Sequence, residues 1–282
     1  MNIKNALTID VEDYFHVAAL SKSISVNDWG SIKSRVEKNT HVLLDLFDAQ
    51  STKATFFVLG WVAERQPEII REIYKRGHEV ASHGYSHQLV YTQSPDVFKE
   101  ETLKSKKILE DITGDAINGY RAASYSITNK SLWALDVLIE AGFVYDSSIF
   151  PVYHDNYGIP GFPTQPHVLD TQGGGKIVEY PLSTYKMFGQ TIPVAGGGYF
   201  RLYPYWLSKY FYKKLNKKGK SFVFYLHPWE VDPAQPRIKA SALSRFRHYN
   251  NLDKCEDRLG RLLSNFEFTT MANVLTEQGL IS

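Results

Sequence analysis

Short β-rich runs alternate with longer helical patterns along most of the chain, and this alternation restricts its fold more than any other feature. The runs ALTID (6–10) and KATFFVL (53–59) have the composition of buried strands. The clearest helical pattern spans 94–114, with Ser94 at the N-cap and Gly114 just past the end. Repeated alternation of this kind predicts a parallel sheet covered by helices, closed or nearly closed into an α/β barrel.

The same patterns predict the remaining elements. Further strands are expected in EVASH, NGYRA, VYD, KIVEYPL and SFVFYLH, and further helices at 36–47, 67–77, 129–142, 204–218, 253–265 and 270–279. Residues 147–200 break the rhythm with six prolines and many glycines, so we expect long loops and short strands over one mouth of the barrel. The length of 282 residues suits one large domain.

Composition excludes several classes of protein. A formal net charge of +2 is too small to indicate a nucleic-acid partner, and the single cysteine, Cys255, permits neither an internal disulfide nor a thiolate metal cluster. The N-terminus lacks a basic segment followed by an apolar core, so no signal peptide is expected. The apolar runs are shorter than the roughly 20 residues of a membrane span. We therefore expect a cytoplasmic protein without an integral membrane segment; its oligomeric state stays open.

Polar side chains follow the proposed strands at the points where those strands end. In a (β/α) barrel these ends meet on the face that carries catalytic groups. Five strands deliver ionisable residues there: Asp10 with Glu12 and Asp13, His83, Arg121, Asp146 and His227.

The histidine pair in SHGYSH has the composition of a metal site. His83 and His87 are four residues apart, so their imidazoles can converge on one ion. Two histidines and one carboxylate make a three-ligand site with an open position, as in catalytic divalent metal centres. The alternative is an ordinary pair of loop or core histidines; the carboxylates on a neighbouring strand end favour the metal.

Hydrolysis at such a centre also needs a base for the water and an acid for the leaving group. Asp10, where the first strand stops, is the candidate base, although a strand-end aspartate is often only a helix cap. His227 ends a late strand before Pro228 and is the candidate acid, although a lone histidine is often structural. Arg121 can orient the base by a bidentate contact or can belong to a surface ion pair.

These residues resemble the motifs of the polysaccharide deacetylases of carbohydrate esterase family four. The resemblance covers most of the chain, with the motifs in the expected order: TIDVED, SHGYSH, GYRAASYS, YDSS and YLHPWE. The C-terminal segment, about 236–282, is similar to the branch associated with exopolysaccharide and envelope-glycan loci. The resemblance implies a single catalytic domain over 1–282.

What the resemblance implies is a distorted (β/α)7 TIM-like barrel that hydrolyses the N-acetyl group of an amino sugar in a glycan. Asp10 would be the base, tethered by Arg121, and His227 the acid, oriented by Asp146. Leu226 would line the acetyl-methyl pocket and Trp229 the substrate site. The backbone N–H of Ser124 or Tyr125 would face the oxyanion. The implied cofactor is a divalent metal, zinc first, with cobalt, manganese or iron also compatible.

The chain departs from the family pattern in two places. The usual first motif has adjacent aspartates, base then ligand, whereas Val11 follows Asp10 here. The metal carboxylate is then Glu12, which shares a strand face with Asp10 by the period of two, or Asp13, which has the shorter side chain usual in the family. In the third motif, Ala122 and Ala123 stand where proline is usual.

Two other functions fit the same motifs. An allantoinase-like relative of this barrel would hydrolyse the C–N bond of a non-sugar amide, without a required metal. A non-catalytic barrel would bind a glycan, but pure binding needs neither an acid nor a base.

Overall fold

The predicted alternation is present in a computed structural model that describes residues 3–21, 23–154 and 157–282. The strands are β1 (Lys4–Val11), β2 (Thr55–Val58), β3 (Glu79–Ser82), β4 (Gly119–Tyr120), β5 (Tyr145–Asp146), β6 (His167–Asp170), β7 (Lys176–Glu179), β8 (Thr184–Met187), β9 (Gln190–Pro193), β10 (Val223–Leu226) and β11 (Glu267–Thr269). The helices are α1 (Val36–Ala49), α2 (Gly60–Arg65), α3 (Pro67–Lys75), α4 (Pro95–Thr113), α5 (Trp133–Glu140), α6 (Gly197–Leu202), α7 (Tyr205–Lys217), α8 (Ala242–Tyr249), α9 (Cys255–Leu263) and α10 (Met271–Glu277).

The strands build one mostly parallel sheet and one small hairpin. Parallel pairing runs in the order β10-β1-β2-β3-β4-β5-β7, and β6 closes that edge antiparallel to β7. Strand β11 pairs with the start of β1, and β8 pairs with β9 alone. The order and direction confirm the predicted distorted seven-stranded barrel with helices around it.

The barrel is distorted because β7 and β10 do not pair with each other. The seam between them is filled by segments around Ser183 and Ala195. Ser183 accepts a hydrogen bond at Oγ from the backbone N–H of Val223 (2.8 Å), and Ala195 O accepts one from the N–H of Tyr225 (2.7 Å). Gly196 lies so close to β10 that an added Cβ would sit 2.1 Å from the Tyr225 carbonyl oxygen, and its φ is 130°. Glycine at position 196 therefore permits this close approach, which a side chain would prevent.

Alternate residues of β1 divide the core into two layers. Leu7, Ile9 and Val11 belong to the cluster that packs under the helices, whereas Ala6 belongs to the cluster inside the barrel. Because successive side chains of a strand point to opposite faces, Asp10 lies on the interior row, at the carboxyl end of β1.

Helix termini follow the local signals closely. Ser94 Oγ accepts a hydrogen bond from Val97 N at the start of α4, and Gly114 ends that helix with φ 77°. Helix α5 begins only at Trp133, later than the predicted 129, because residues 128–131 form a turn in which Ser131 Oγ accepts from Thr128 N. Within the described residues, no helix has both the length and the apolar character needed to cross a bilayer.

Candidate active site

Asp10 is held at the carboxyl end of β1 by a buried arginine. Arg121 Nη1 donates to Asp10 Oδ1 (2.7 Å) and to Thr8 Oγ1 (2.8 Å), and its other nitrogens donate to Ser147. Arg121 is fully buried, so the alternative of a surface ion pair does not apply. The Tyr125 hydroxyl donates to Asp10 Oδ2 at 3.3 Å. One oxygen of the Asp10 carboxylate is thus held by the charged guanidinium of Arg121, and the other by the hydroxyl of Tyr125.

Three potential metal ligands converge beside Asp10. One donor atom from each of Glu12, His83 and His87 lies within 4.8 Å of the other two. Glu12 Oε2 and His87 Nε2 are 2.9 Å apart. Donor atoms this close in a buried place are the arrangement that a divalent cation requires.

The chemistry of these donors fits a cation better than it fits a hydrogen-bond network. Glu12 Oε2 is buried and has no hydrogen-bond partner among the described residues, despite its short distance to His87. His83 Nδ1 lies 2.8 Å from the Arg121 carbonyl oxygen, which fixes the proton on Nδ1 and leaves Nε2 as a lone-pair donor. Burial lowers the pKa of His83 to about 4, so the ring is neutral near pH 7.

The charge on Glu12 is stabilised by its surroundings. Burial opposes ionisation of this carboxyl group, but the imidazoles of His87 and His227 outweigh burial and lower its pKa. Glu12 is therefore an anion, as a metal ligand must be.

Asp13, the other candidate ligand, points away from this cluster and caps a helix. Its Oδ2 accepts hydrogen bonds from Ser34 Oγ (2.7 Å) and from the backbone N–H groups of Arg35 (2.7 Å) and Val36 (3.1 Å), and its Oδ1 accepts one from Tyr14 N. These donors open α1, whose first N–H groups need acceptors. The structure thus brings Glu12, not Asp13, to the histidines.

The two histidines do not meet through a helical turn, as their spacing had suggested. They lie in a loop after β3, where Gly84 has φ 72° and His87 has φ 54°. A positive φ is uncommon for a residue with a side chain. The loop, rather than helical periodicity, returns His87 toward His83.

His227 follows β10 and faces both carboxylates. Its Nε2 lies 3.2 Å from Glu12 Oε1 and 3.9 Å from Asp10 Oδ2. The side chain is 17% exposed, against 2% for Asp10 and Glu12, so it lies on the solvent side of the cluster. Burial disfavours charge on the ring, but neighbouring carboxylates outweigh it and raise its pKa to about 9.

The partner of His227 is Glu230, which corrects the expectation that Asp146 would orient the acid. His227 Nδ1–H donates to Glu230 Oε1 (2.8 Å). Glu230 Oε2 in turn accepts from Arg201 Nε (2.5 Å), a buried guanidinium. Asp146 is engaged elsewhere: its Oδ1 accepts from Ser148 Oγ (2.6 Å), and its carboxyl group shares a hydrogen bond with Glu179.

Arg201 ties this pair to the C-terminal part of the chain. Its remaining N–H groups donate to the backbone carbonyls of residues 247, 248 and 250, at the end of α8. These carbonyls have no partners inside the helix. A single guanidinium therefore fixes Glu230 and the end of α8 together.

Trp229 packs behind His227, the candidate acid, and does not form the open surface expected of a substrate site. Its ring stacks on His227 with centroids 5.1 Å apart and on His248 with centroids 4.3 Å apart. It is only 4% exposed. This three-ring stack restricts the orientation of the His227 imidazole.

Leu226 does not lie in the site, contrary to the expectation of an acetyl-methyl pocket there. It pairs with Ile9 in the sheet and belongs, like Ile9, to the cluster under the helices. Tyr225 is the residue of β10 that faces the barrel interior, where its ring lies 5.1 Å from that of Tyr125 and 5.7 Å from that of His227.

Tyr125, whose hydroxyl contacts Asp10, forms a strained turn with Ser124. The φ values of Ser124 and Tyr125 are 52° and 55°, which are unusual for two consecutive residues with side chains. The N–H of Tyr125 donates to Ala122 O within this turn (3.1 Å). Of the two expected oxyanion donors, this leaves the N–H of Ser124.

Sequence reasoning missed Glu230, Arg201 and Tyr225. A signal existed for two of them: Glu230 stands three residues after His227 in HPWE, as in a capping box, and Tyr225 shares a strand face with His227 by the period of two. No local pattern marks Arg201, whose partners lie 29 or more residues away.

Comparison with known families divides the chain into two matched parts. Residues 24–144 match the family described as polysaccharide deacetylase, and residues 147–276 match a domain of unknown function, DUF3473. Both parts contribute strands to the same sheet, since β2 to β4 lie in the first and β7 and β10 in the second. The two matched parts thus belong to one sheet.

Curated relatives are similar over about a third of the chain. The peptidoglycan deacetylase of Helicobacter pylori is 35% identical over 107 residues, which cover 38% of this chain and 36% of the relative. The peptidoglycan-N-acetylglucosamine deacetylase of Bacillus cereus is 33% identical over 98 residues, covering 34% of this chain and 36% of the relative. The alignments thus span little more than a third of the length of these relatives.

Solved structures share the fold over nearly the whole chain. A polysaccharide deacetylase candidate from Mycobacterium smegmatis superimposes with a TM-score of 0.62 at 19% identity, covering 97% of this chain and 90% of that one. The PuuE allantoinase gives 0.59 at 18% identity, covering 99% and 91%. The barrel is common to both. Residues 24–144 are thus similar to polysaccharide deacetylases in sequence, and nearly the whole chain shares the fold of these solved structures.

Proposed function

We propose that this protein is a metal-dependent hydrolase that removes the acetyl group from an N-acetylated amino sugar of a bacterial envelope polysaccharide, exopolysaccharide or precursor of one. The observation that carries the proposal is the convergence of Glu12, His83 and His87 beside Asp10 and His227. A base, an acid and a cation site within one buried cluster are the groups that amide hydrolysis needs.

In this proposal, each residue has a separate task. Glu12, His83 and His87 would hold the divalent cation, zinc first, which when bound activates water and polarises the acetyl carbonyl. Asp10, oriented by Arg121, takes the proton of the attacking water. His227, held by Glu230, gives a proton to the sugar nitrogen as the C–N bond breaks, so acetate and a free amine leave. The N–H of Ser124 faces the developing oxyanion.

The names of the relatives supply the substrate class. They are described as deacetylases of peptidoglycan, of its N-acetylglucosamine and of chitooligosaccharides. Polymers of N-acetylglucosamine are therefore the first substrates to test.

The test combines metal analysis with acetate release from N-acetylglucosamine oligomers. We expect a bound divalent metal, loss of activity on chelation and recovery on adding zinc. Asp10→Asn should lower kcat by at least about a hundredfold, the usual contribution of a general base. Asp170→Asn, an exposed carboxylate on β6, is the matched control and should leave kcat unchanged.

Three outcomes would contradict the proposal. Activity that survives exhaustive chelation would favour the allantoinase-like reaction. Full activity of Asp10→Asn would remove the assigned base. Tight glycan binding without turnover, unaffected by His83→Ala and His227→Ala, would indicate a binding protein.

A further inference from the structure

Residues 180–229 contain no aspartate or glutamate, although the whole chain has 30 acidic residues. The same stretch has eight cations: Lys186, Arg201, Lys209, Lys213, Lys214, Lys217, Lys218 and Lys220. Arg201 is buried against Glu230. The seven lysines make no ion pair with any residue that the structure describes. A chain with a net charge of +2 thus concentrates unpaired positive charge in one stretch.

Helix α7 presents part of this charge on one exposed stripe. Trp206, Tyr210, Lys213 and Lys217 are all exposed and recur at helical spacing, the rings in the first half of the helix and the lysines in the second. Trp206 is 69% exposed. Lysines at the end of a helix complement its dipole, but that effect gives no reason for a tryptophan in water.

The hairpin of β8 and β9 continues the same surface. Tyr185 of β8 lies with its ring 6.5 Å from Tyr210, and Lys218 Nζ lies 5.5 Å from the Tyr185 ring. The hairpin therefore packs beside α7. We give the name basic–aromatic face to the exposed stripe of α7, formed by Trp206, Tyr210, Lys213 and Lys217, together with Phe188 at the tip of the adjoining hairpin.

Phe188 at the hairpin tip has no function in the fold. Met187 pairs with Gln190, so Phe188 and Gly189 form the two-residue turn, with φ 51° and 75°. Such turns favour asparagine at the first position, because a bulky residue is strained there. The Phe188 side chain is 94% exposed, so no packing within the protein compensates for this strain.

We infer that the basic–aromatic face docks on the surface of a bilayer that contains anionic lipids. Interfacial binding sites combine lysines, attracted to anionic headgroups, with aromatic side chains that enter the headgroup layer. A sugar chain is a poorer occupant, because a ring that protrudes with 94% of its surface exposed forms no concave subsite. The inference does not depend on the proposed chemistry, since the face contains none of the proposed catalytic or metal-binding residues.

The test is co-sedimentation of the full chain with phosphatidylcholine vesicles, with and without phosphatidylglycerol. Binding should require phosphatidylglycerol and weaken with added salt. Each lysine near an anionic surface contributes about a fivefold gain, so Lys213→Glu with Lys217→Glu should lower the partition coefficient by about 25-fold or more. Phe188→Ser with Trp206→Ser should lower it by about tenfold, through lost apolar insertion.

A matched control changes the same residue types elsewhere. Tyr153→Ser with Lys107→Glu removes an 85% exposed ring and an exposed lysine outside this face, and should bind vesicles as the unchanged protein does. Acetate release from soluble oligomers should be the same in all these variants. Equal vesicle binding by all variants would overturn the inference, and so would binding to heparin with none to anionic vesicles, which would indicate an anionic glycan.

Discussion

Replacing Glu230 by glutamine removes the charge that holds the proposed acid while keeping the shape of the side chain. In the folded protein this carboxylate accepts from His227 Nδ1 at 2.8 Å and from Arg201 Nε. A hydrogen bond to a charged partner contributes about 1.5–3 kcal/mol. Each 1.4 kcal/mol lost from the transition state is tenfold in rate. We therefore expect Glu230→Gln to lower kcat for acetate release by about 10- to 100-fold.

The variant should also unfold more easily, because Arg201 stays buried without its counter-charge. Removing one partner of a buried ion pair typically costs about 3–5 kcal/mol. Here the three backbone carbonyls that Arg201 still contacts should keep the loss near the lower end.

The assay measures kcat, bound metal and urea unfolding for Glu230→Gln and for Asp146→Asn. Metal content should be unchanged in both, since neither residue belongs to the Glu12, His83 and His87 cluster. Asp146→Asn should leave kcat within about threefold, because Asp146 bonds Ser148 instead of His227. A normal kcat for Glu230→Gln, or a deficit in Asp146→Asn as large as that in Glu230→Gln, would refute the assignment of Glu230 as the positioning residue.

Three further predictions concern metal binding and stability. Asp13→Ala should lower the free energy of unfolding by about 2–4 kcal/mol, because it removes the helix cap, and should still bind the metal. Glu12→Gln should lose the metal. If metal analysis instead shows loss of metal in Asp13→Ala and retention in Glu12→Gln, the two roles must be exchanged. The free energy of unfolding should fall as the pH drops from about 6.5 toward 4. Burial lowers the pKa of His78 to about 4 in the folded protein, whereas in the unfolded chain His78 takes up a proton near about pH 6.5, so acid favours the unfolded state. His78→Asn should shrink the difference in unfolding free energy between pH 7 and pH 5 by about 1–2 kcal/mol, and an undiminished difference would contradict this cause. Gly197→Ala should cost about 2–4 kcal/mol in urea unfolding, since φ is 52° and the new Cβ would meet the Tyr225 ring at 2.5 Å; unchanged stability would show that the seam can relax.

Local patterns were sufficient for most strands and helices of the barrel and for several of their ends, but they did not predict α2, α6, α8 or β11. Helix α4 is an example, because its serine cap, its proline and its terminal glycine act within a few residues of the positions they fix. The strand-end residues were predictable for the same reason: Asp10, His83, Arg121 and His227 stand where apolar runs stop. Parallel strands then require these ends to share one face.

The partners of those residues were decided only by tertiary structure. Asp13 caps a helix that begins 23 positions later, and this frees Glu12 for the histidines. Asp146 is bonded to Ser148, and Glu230 takes the place beside His227. Each choice depends on which buried donor a carboxylate meets, and these donors come from distant segments that folding brings together. A buried polar group must find such a partner, but the sequence alone does not say which one. The sequence determined the barrel and the ionisable residues at its mouth, and the packed structure decided how those residues pair.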